Sequence, residues 1–344
     1  MAKNSGVACP KYGVGGQAVM EGVMMRSPER TAVAVRQESG KIVVRVKPNK
    51  QLAKKYKFLG WPIIRGVVNF FMMMVLGIQT LTESAEMAGM EAEEPSEFEK
   101  KMAKRLGKSA EDVMMGAAVV LALAMSIGLF FVLPTLIESW IRHGMTGGVA
   151  DAVLSGGQKL LLNLVGGIIR IAMFIGYILL VRNVKEIKRT FMYHGAEHKS
   201  IHCLENGLEL TVENVKKQSR LHPRCGTSFL VFVFLISIIV FIFFGTNDGG
   251  ALSRVLSRLL LLPLVAGISY EVLKGLAHAN DEHPIVRALK WPGMMLQKLT
   301  TAEPDEDMCQ VAIESLKCAL NTDDCIKEQY VLESEKRKAE KAAG

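Results

Sequence analysis

Six of the seven histidines lie between residues 194 and 222 or between 278 and 283. The first stretch holds His194, Glu197, His198, His202, His222 and Cys225, and His194-Gly-Ala-Glu197-His198 spells H-x-x-E-H. That is the reversed zincin order, in which two imidazoles bind Zn²⁺ and the carboxylate handles a proton. On an α-helix His194, His198 and His202 stack along one face with about 40° of drift per step, so two can share one ion and the third needs a bend or another task. Glu197 reaches the same place from three residues beyond His194, where it could act on water acidified by a metal. His222 and Cys225 add a nitrogen and a thiolate, and the mixed N/S/O set suits a divalent ion such as zinc. The competing reading is a hydrogen-bond network that anchors the stretch without chemistry.

Further candidates are more scattered. Gln17 and Glu21, in the glycine-bearing segment Gly13 to Pro28, could bring an amide and a carboxylate to the same place, or the glycines could merely turn the chain. Glu271 sits near the end of an apolar run, where a carboxylate must be paired or functional, and Arg170 is its expected partner. His278, Asp281, Glu282 and His283 follow that run and could complete a site or form a solvated turn. The six cysteines show no paired spacing and are expected as reduced thiols, with Cys309, Cys318 and Cys325 too widely spaced for a zinc knuckle.

The elements that would position these groups are mainly helical. Residues 31–38 and 41–47 alternate around Ser39-Gly40 and predict a β-hairpin. Apolar runs over 116–137, 160–181, 228–244 and 255–273 predict about four transmembrane helices, the first carrying no charge over 22 residues. Residues 57–84 are interrupted by Pro62, Arg65, Gly66 and Asn69 and are expected to be interfacial or re-entrant. An amphipathic helix is expected over 305–320, followed by a charged stretch at 333–341. Four parts result: a β-containing region 1–56, a re-entrant helix and charged linker 57–112, a membrane domain 113–275 with a histidine loop 182–227, and a helical tail 276–344.

A chain that is 49% hydrophobic with its apolar residues gathered in runs is not an ordinary soluble domain. The start, Met1 to Lys11, lacks an apolar core with a cleavage site, so insertion is expected from internal segments. Residues 182–227 carry nine Lys or Arg against two in 138–159, which predicts a cytosolic histidine loop and cytosolic termini in a multi-pass inner-membrane protein. The net charge of +8 is then accounted for by anionic lipid headgroups rather than by specific nucleic-acid binding. An oligomer and a protein partner at the cytosolic face stay open.

The segments Gly15–Arg26, Tyr193–Lys199, His222–Ser228 and Leu299–Pro304 together resemble the YqhQ family of bacterial polytopic membrane proteins of unknown function, some labelled predicted metal-dependent enzymes. The resemblance implies His194, Glu197, His198, His222 and Cys225 as motif positions, with His202 less clearly among them. Two functions are carried forward. In the first, a metal-dependent hydrolase at the inner leaflet uses Glu197 as general base and His194, His198, His222 and Cys225 around the ion. In the second, a membrane scaffold or biogenesis factor docks a partner through its basic loop and the Met-rich segments at Met24, Met25 and Met72 to Met74. A transporter is disfavoured for want of repeats or broken helices.

Overall fold

The computed structural model describes residues 13–49, 57–90, 96–107, 109–147, 154–223, 225–244, 250–280 and 282–321. The expected charged stretch at 333–341, Asp281 and Arg224 lie outside them. Two compact units share the chain. The first draws on the described residues within Met1–Met90, Ile178–Val231 and Tyr270–Gly344, the second on those within Glu91–Tyr177 and Phe232–Ser269.

The first unit is built on a four-stranded antiparallel meander, β1 (Gly15–Val19), β2 (Gly22–Arg26), β3 (Arg30–Arg36) and β4 (Ile42–Pro48). The expected hairpin is present as β3 and β4. The segment read as a glycine loop supplies two further strands, joined by a two-residue turn in which Glu21 takes a left-handed φ of 47°. β2 and β3 are apolar nearly throughout because both faces of the sheet are covered. On one face Val23, Met25, Ala32, Ala34 and Val44 pack against α6 (Lys185–Glu205) and α11 (Glu306–Leu320). On the other, Val19, Met24, Val33 and Val35 pack against Met87 and Ala88 of α1 (Ile64–Ala88). Met24 and Met25 are fully buried, so they fill the core and are not a docking surface.

Helix α1 is continuous where an interrupted segment was expected. Pro62 and Arg65 lie at its start, where proline fits, and Gly66 and Asn69 are absorbed without a break. It buries Gly77, Thr80, Ser84, Met87 and Ala88 at spacings of three and four, and Glu83 pairs with Arg45 and Lys47 of β4. Nearer its start Phe70, Phe71, Met73, Met74 and Val75 are exposed. Among the described residues five helices, rather than about four, are long and apolar enough to cross a membrane: Ile64–Ala88, Val113–Met145, Gly156–Val181, Thr227–Phe244 and Ala251–Ala277. By that length and composition the chain is a membrane protein.

The remaining elements are α2 (Glu97–Leu106), α3 (Ala110–Ile127), which runs through a π-helical turn (Gly128–Val132) into α4 (Leu133–Met145), α5 (Gly156–Val181), the short α7 (Val212–Lys216), α8 (Thr227–Phe244), α9 (Ala251–Ala277) and α10 (Pro284–Thr300). The tail helix forms as expected, with the Asp305 carboxylate accepting the Met308 N–H at its N-terminus. Cys318 is disulfide-bonded, against the expectation of reduced thiols throughout, while Cys203, Cys225 and Cys309 are free.

Candidate functional site

The histidine stretch is α6, and its inner face is buried from Tyr193 to Cys203 with only His194 and His202 half-open. Segments distant in sequence close on it. Gly195 lies so near the chain after α10 that an added Cβ would stand 2.1 Å from the Ala302 carbonyl oxygen, so only glycine permits the crossing. Ala302 N–H donates to Phe191 O at 2.8 Å, and Arg220 reaches Thr301 O at 2.9 Å. Gly16 of β1 faces Glu197 in the same way, an added Cβ meeting its Cγ at 2.7 Å. The four motif segments therefore meet in one place.

Backbone carbonyls set the tautomers. His194 Nδ1 lies 2.9 Å from Thr300 O and His198 Nδ1 lies 2.6 Å from Arg220 O. A carbonyl can only accept, so both Nδ1 atoms carry a hydrogen, and in the neutral ring Nε2 is then the nitrogen with the lone pair. His194 Nε2 faces Cys225 Sγ at 3.3 Å and Glu197 Oε2 at 3.9 Å. His198 Nε2 is buried and, among the described residues, meets no hydrogen-bond partner. One ligand atom from each of His194, His198 and Cys225 falls within 4.8 Å of the others. This is how ligating imidazoles are commonly held, the second nitrogen tied to a carbonyl and the first left for an ion.

Burial governs the charges. It pushes the Glu197 carboxyl up to about 8, against the opposing pull of His194 and of the Gly16 N–H. It pushes His198 down to about 2, so this imidazole is neutral and able to ligate. Burial also raises the Cys225 thiol, opposed by hydrogen bonds from the Thr227 hydroxyl and N–H.

His222 stands in a second group, with His202 and Glu205, again with one ligand atom from each within 4.8 Å. Its Nε2 is 3.1 Å from Glu205 Oε2, and its ring centroid is 4.5 Å from that of His202 and 5.8 Å from that of His198. Fully buried Gln297 grips the His222 backbone from both sides, accepting its N–H at 2.8 Å and donating to its carbonyl at 2.9 Å.

The other candidates lie elsewhere. Side chains alternate along β1, so with Gly16 toward Glu197, Gln17 turns to the opposite face and meets Gly77 of α1. Glu21 binds Arg189 (Nε to Oε1, 2.6 Å) and Tyr193, one turn before His194 on α6. Glu271 is paired with Arg65, not with Arg170, whose partner is Glu138. His278 is exposed and, among the described residues, donates its Nδ1–H within its own turn to Lys274 O. Sequence reasoning missed Glu205, although it stands at i+3 from His202 as Glu197 does from His194, and it missed Gln297 and Gly16, whose partners are far away in the chain.

A cavity of about 400 Å³ opens beside the first group, lined by Gly16, Arg26, Met73, Glu197, His198 and Cys225 among others. Among the described residues the acceptor reached by the Arg26 guanidinium is the Met73 thioether, a weak one.

A family described as "Protein of unknown function (DUF1385)" matches residues 61–322. The "Uncharacterized protein YqhQ" of Bacillus subtilis (strain 168) is 35% identical over 306 residues, 89% of this chain and 91% of that protein. No solved structure matches. With more than half of its length matched, and the relative aligned almost end to end, the chain belongs to the DUF1385 family of proteins of unknown function.

Proposed function

We propose that this protein is a metal-dependent hydrolase of the cytoplasmic membrane, working at the cytosolic leaflet. The observation that carries the reading is the buried Nε2 of His198, which meets no partner among the described residues and belongs to an imidazole grouped with His194 and Cys225. Two imidazoles and one thiol are a zinc-type set with a position left open. The bound ion would supply Lewis acidity toward water and toward the substrate's electrophilic centre. Thr300 and Arg220 carbonyls orient the two ligands, and Glu197, dry and close to His194, takes up and returns the proton. Arg26, across the cavity, is placed to hold an anionic part of the substrate.

Topology supports the placement. β4 and α6 belong to one packed body, so the chain between them crosses the bilayer an even number of times, yet three apolar helices intervene. Helix α1 is the one that stays, tied at its start through Arg65 to Glu271 and at its end to the sheet. Four spans then cross, and the basic segments around α6 favour the cytosolic side. The exposed Phe70 to Val75 edge of α1 rests on the acyl boundary and brings a lipid-borne substrate within reach of the cavity.

Metal analysis of the detergent-purified chain tests this. About one zinc per chain, lost in His198→Ala and kept in Glu197→Gln, is expected. A folded wild type that holds no divalent ion, even after titration, overturns the hydrolase reading and leaves the scaffold.

A further inference from the structure

The second unit carries a charge imbalance unrelated to the histidine groups. Glu138 of α4, Arg170 of α5, and Arg254 and Arg258 of α9 are each at least nine-tenths buried. Both carboxylate oxygens are taken, Oε1 by Arg170 and Oε2 by Arg258 Nη2 at 2.6 Å. Arg258 Nη1 also donates to Thr135 Oγ1 at 2.8 Å, and Arg254 Nη2 donates to Ser139 Oγ. The Phe241 ring lies under two of the guanidinium groups, 5.6 Å from that of Arg170 and 5.7 Å from that of Arg258. Glu138 cannot shift to serve Arg254 as well, because it abuts Gly166, where an added Cβ would stand 1.8 Å from its Oε1. Among the described residues three guanidinium groups thus share one carboxylate, and the Nε–H of Arg170, Arg254 and Arg258 are buried and meet no partner there.

An excess of two positive charges over the described carboxylates, set among apolar helices, demands a counter-charge, since unpaired buried ions are strongly disfavoured. We infer that these arginines form a binding site for a phosphate group. A tetrahedral oxyanion accepts several N–H bonds at once, and the planar guanidinium forks match it. Depth points to its source. Helix α9 has 27 residues and is about 40 Å long, roughly 10 Å more than the hydrocarbon layer, so its ends reach headgroup level and arginines in its first two turns can extend to it. Arg254 and Arg258 are its fourth and eighth residues, and Glu138 lies two turns from the end of α4. The occupant is the headgroup phosphate of an anionic phospholipid. Free phosphate shares the chemistry and is separated from it by the test.

Native mass spectrometry of the full chain in detergent, titrated with phosphatidylglycerol and with phosphatidylcholine of the same acyl chains, reads the site. The anionic lipid should bind about tenfold more tightly, as one to two extra basic contacts imply. Arg254→Gln, which leaves the Glu138 bonds untouched, should abolish that preference. Glu138→Gln, which raises the excess charge, should strengthen it. Millimolar inorganic phosphate that displaces the lipid would assign the site to the free anion; failure to compete assigns it to the headgroup. Equal binding of the two lipids, full preference in Arg254→Gln, or weakened preference in a folded Glu138→Gln overturns the inference.

Discussion

Replacing Gly195 by alanine tests whether the crossing of α6 with residues 300–302 holds the candidate site together. The new methyl would stand 2.1 Å from Ala302 O and 3.3 Å from Pro304 Cδ, and a backbone oxygen cannot rotate away as a side chain can. Overpacking of this kind costs about 2 kcal/mol. Moving the strand by the ångström needed for normal contact also stretches two of its bonds to α6, Ala302 N–H to Phe191 O and His194 Nδ1–H to Thr300 O. At about 1 kcal/mol each these add about 2 kcal/mol, and the helix propensity of alanine over glycine returns about 1, for a net loss of about 3 kcal/mol. For a chain of 344 residues that is a fall of about 4 °C in melting temperature in detergent. Zinc affinity should fall roughly 10- to 100-fold as His194 loses its orienting carbonyl. Gly275→Ala, where a Cβ meets nothing within 4 Å, should be close to neutral. If Gly195→Ala melts and binds zinc like wild type, the crossing does not position His194 and the argument fails.

Gln297→Leu should destabilise by about 1 to 3 kcal/mol, because it strands the N–H of His222 in the interior, while the His222 carbonyl keeps the Cys225 N–H; thermal unfolding beside Gln297→Ala, which leaves room for water, measures it. Glu21 is held below its ordinary value of 4.5 by its hydrogen bonds to Arg189, despite partial burial. The folded pKa is depressed, so its stabilisation is present above about pH 4.5 and fades as pH falls through the lowered value. The melting temperatures of wild type and Glu21→Gln should therefore differ at pH 6 and converge in acid, and a gap that stays constant across that range refutes the pairing. If α1 does not cross, Ser96→Cys should react with an impermeant maleimide in inverted vesicles beyond the wild-type background; extra labelling in intact spheroplasts would place residue 96 outside and break the four-span reading.

What was legible in the sequence was whatever depends on near neighbours. The period of α6 places His194, Glu197 and His198 on one face, and the alternation of β3 and β4 marks a hairpin. The apolar runs show the helices of the second unit. Strands β1 and β2 were hidden because their glycines, present for close approach to Glu197 and to the neighbouring strand, look like loop residues in isolation. Helix α1 was read as broken since Gly66 and Asn69 are weak helix formers whose cost is offset by burial against the sheet and by the Arg65–Glu271 pair, 206 residues apart. The division of the histidines into two groups also rests on distant partners. About 80° of accumulated drift carries His202 away from His194, but only the return of His222 and Cys225 decides which imidazole joins which group. Gln297 has no local signature at all.

The sheet is made first and covered last. Its inner face waits for α11, whose Ser315 hydroxyl donates to Ala32 O across 283 residues of chain. At about 5 to 20 residues per second that interval is roughly 15 to 60 s of synthesis, during which Val23, Met25, Ala32 and Ala34 lack their final cover. On the proposed topology, membrane insertion of the intervening helices falls within that window, so the first unit closes only on a chain already threaded through the bilayer. A nascent protein that fails to insert would keep an apolar sheet exposed to chaperones and proteases, and the ordering thereby acts as a quality check written into the connectivity.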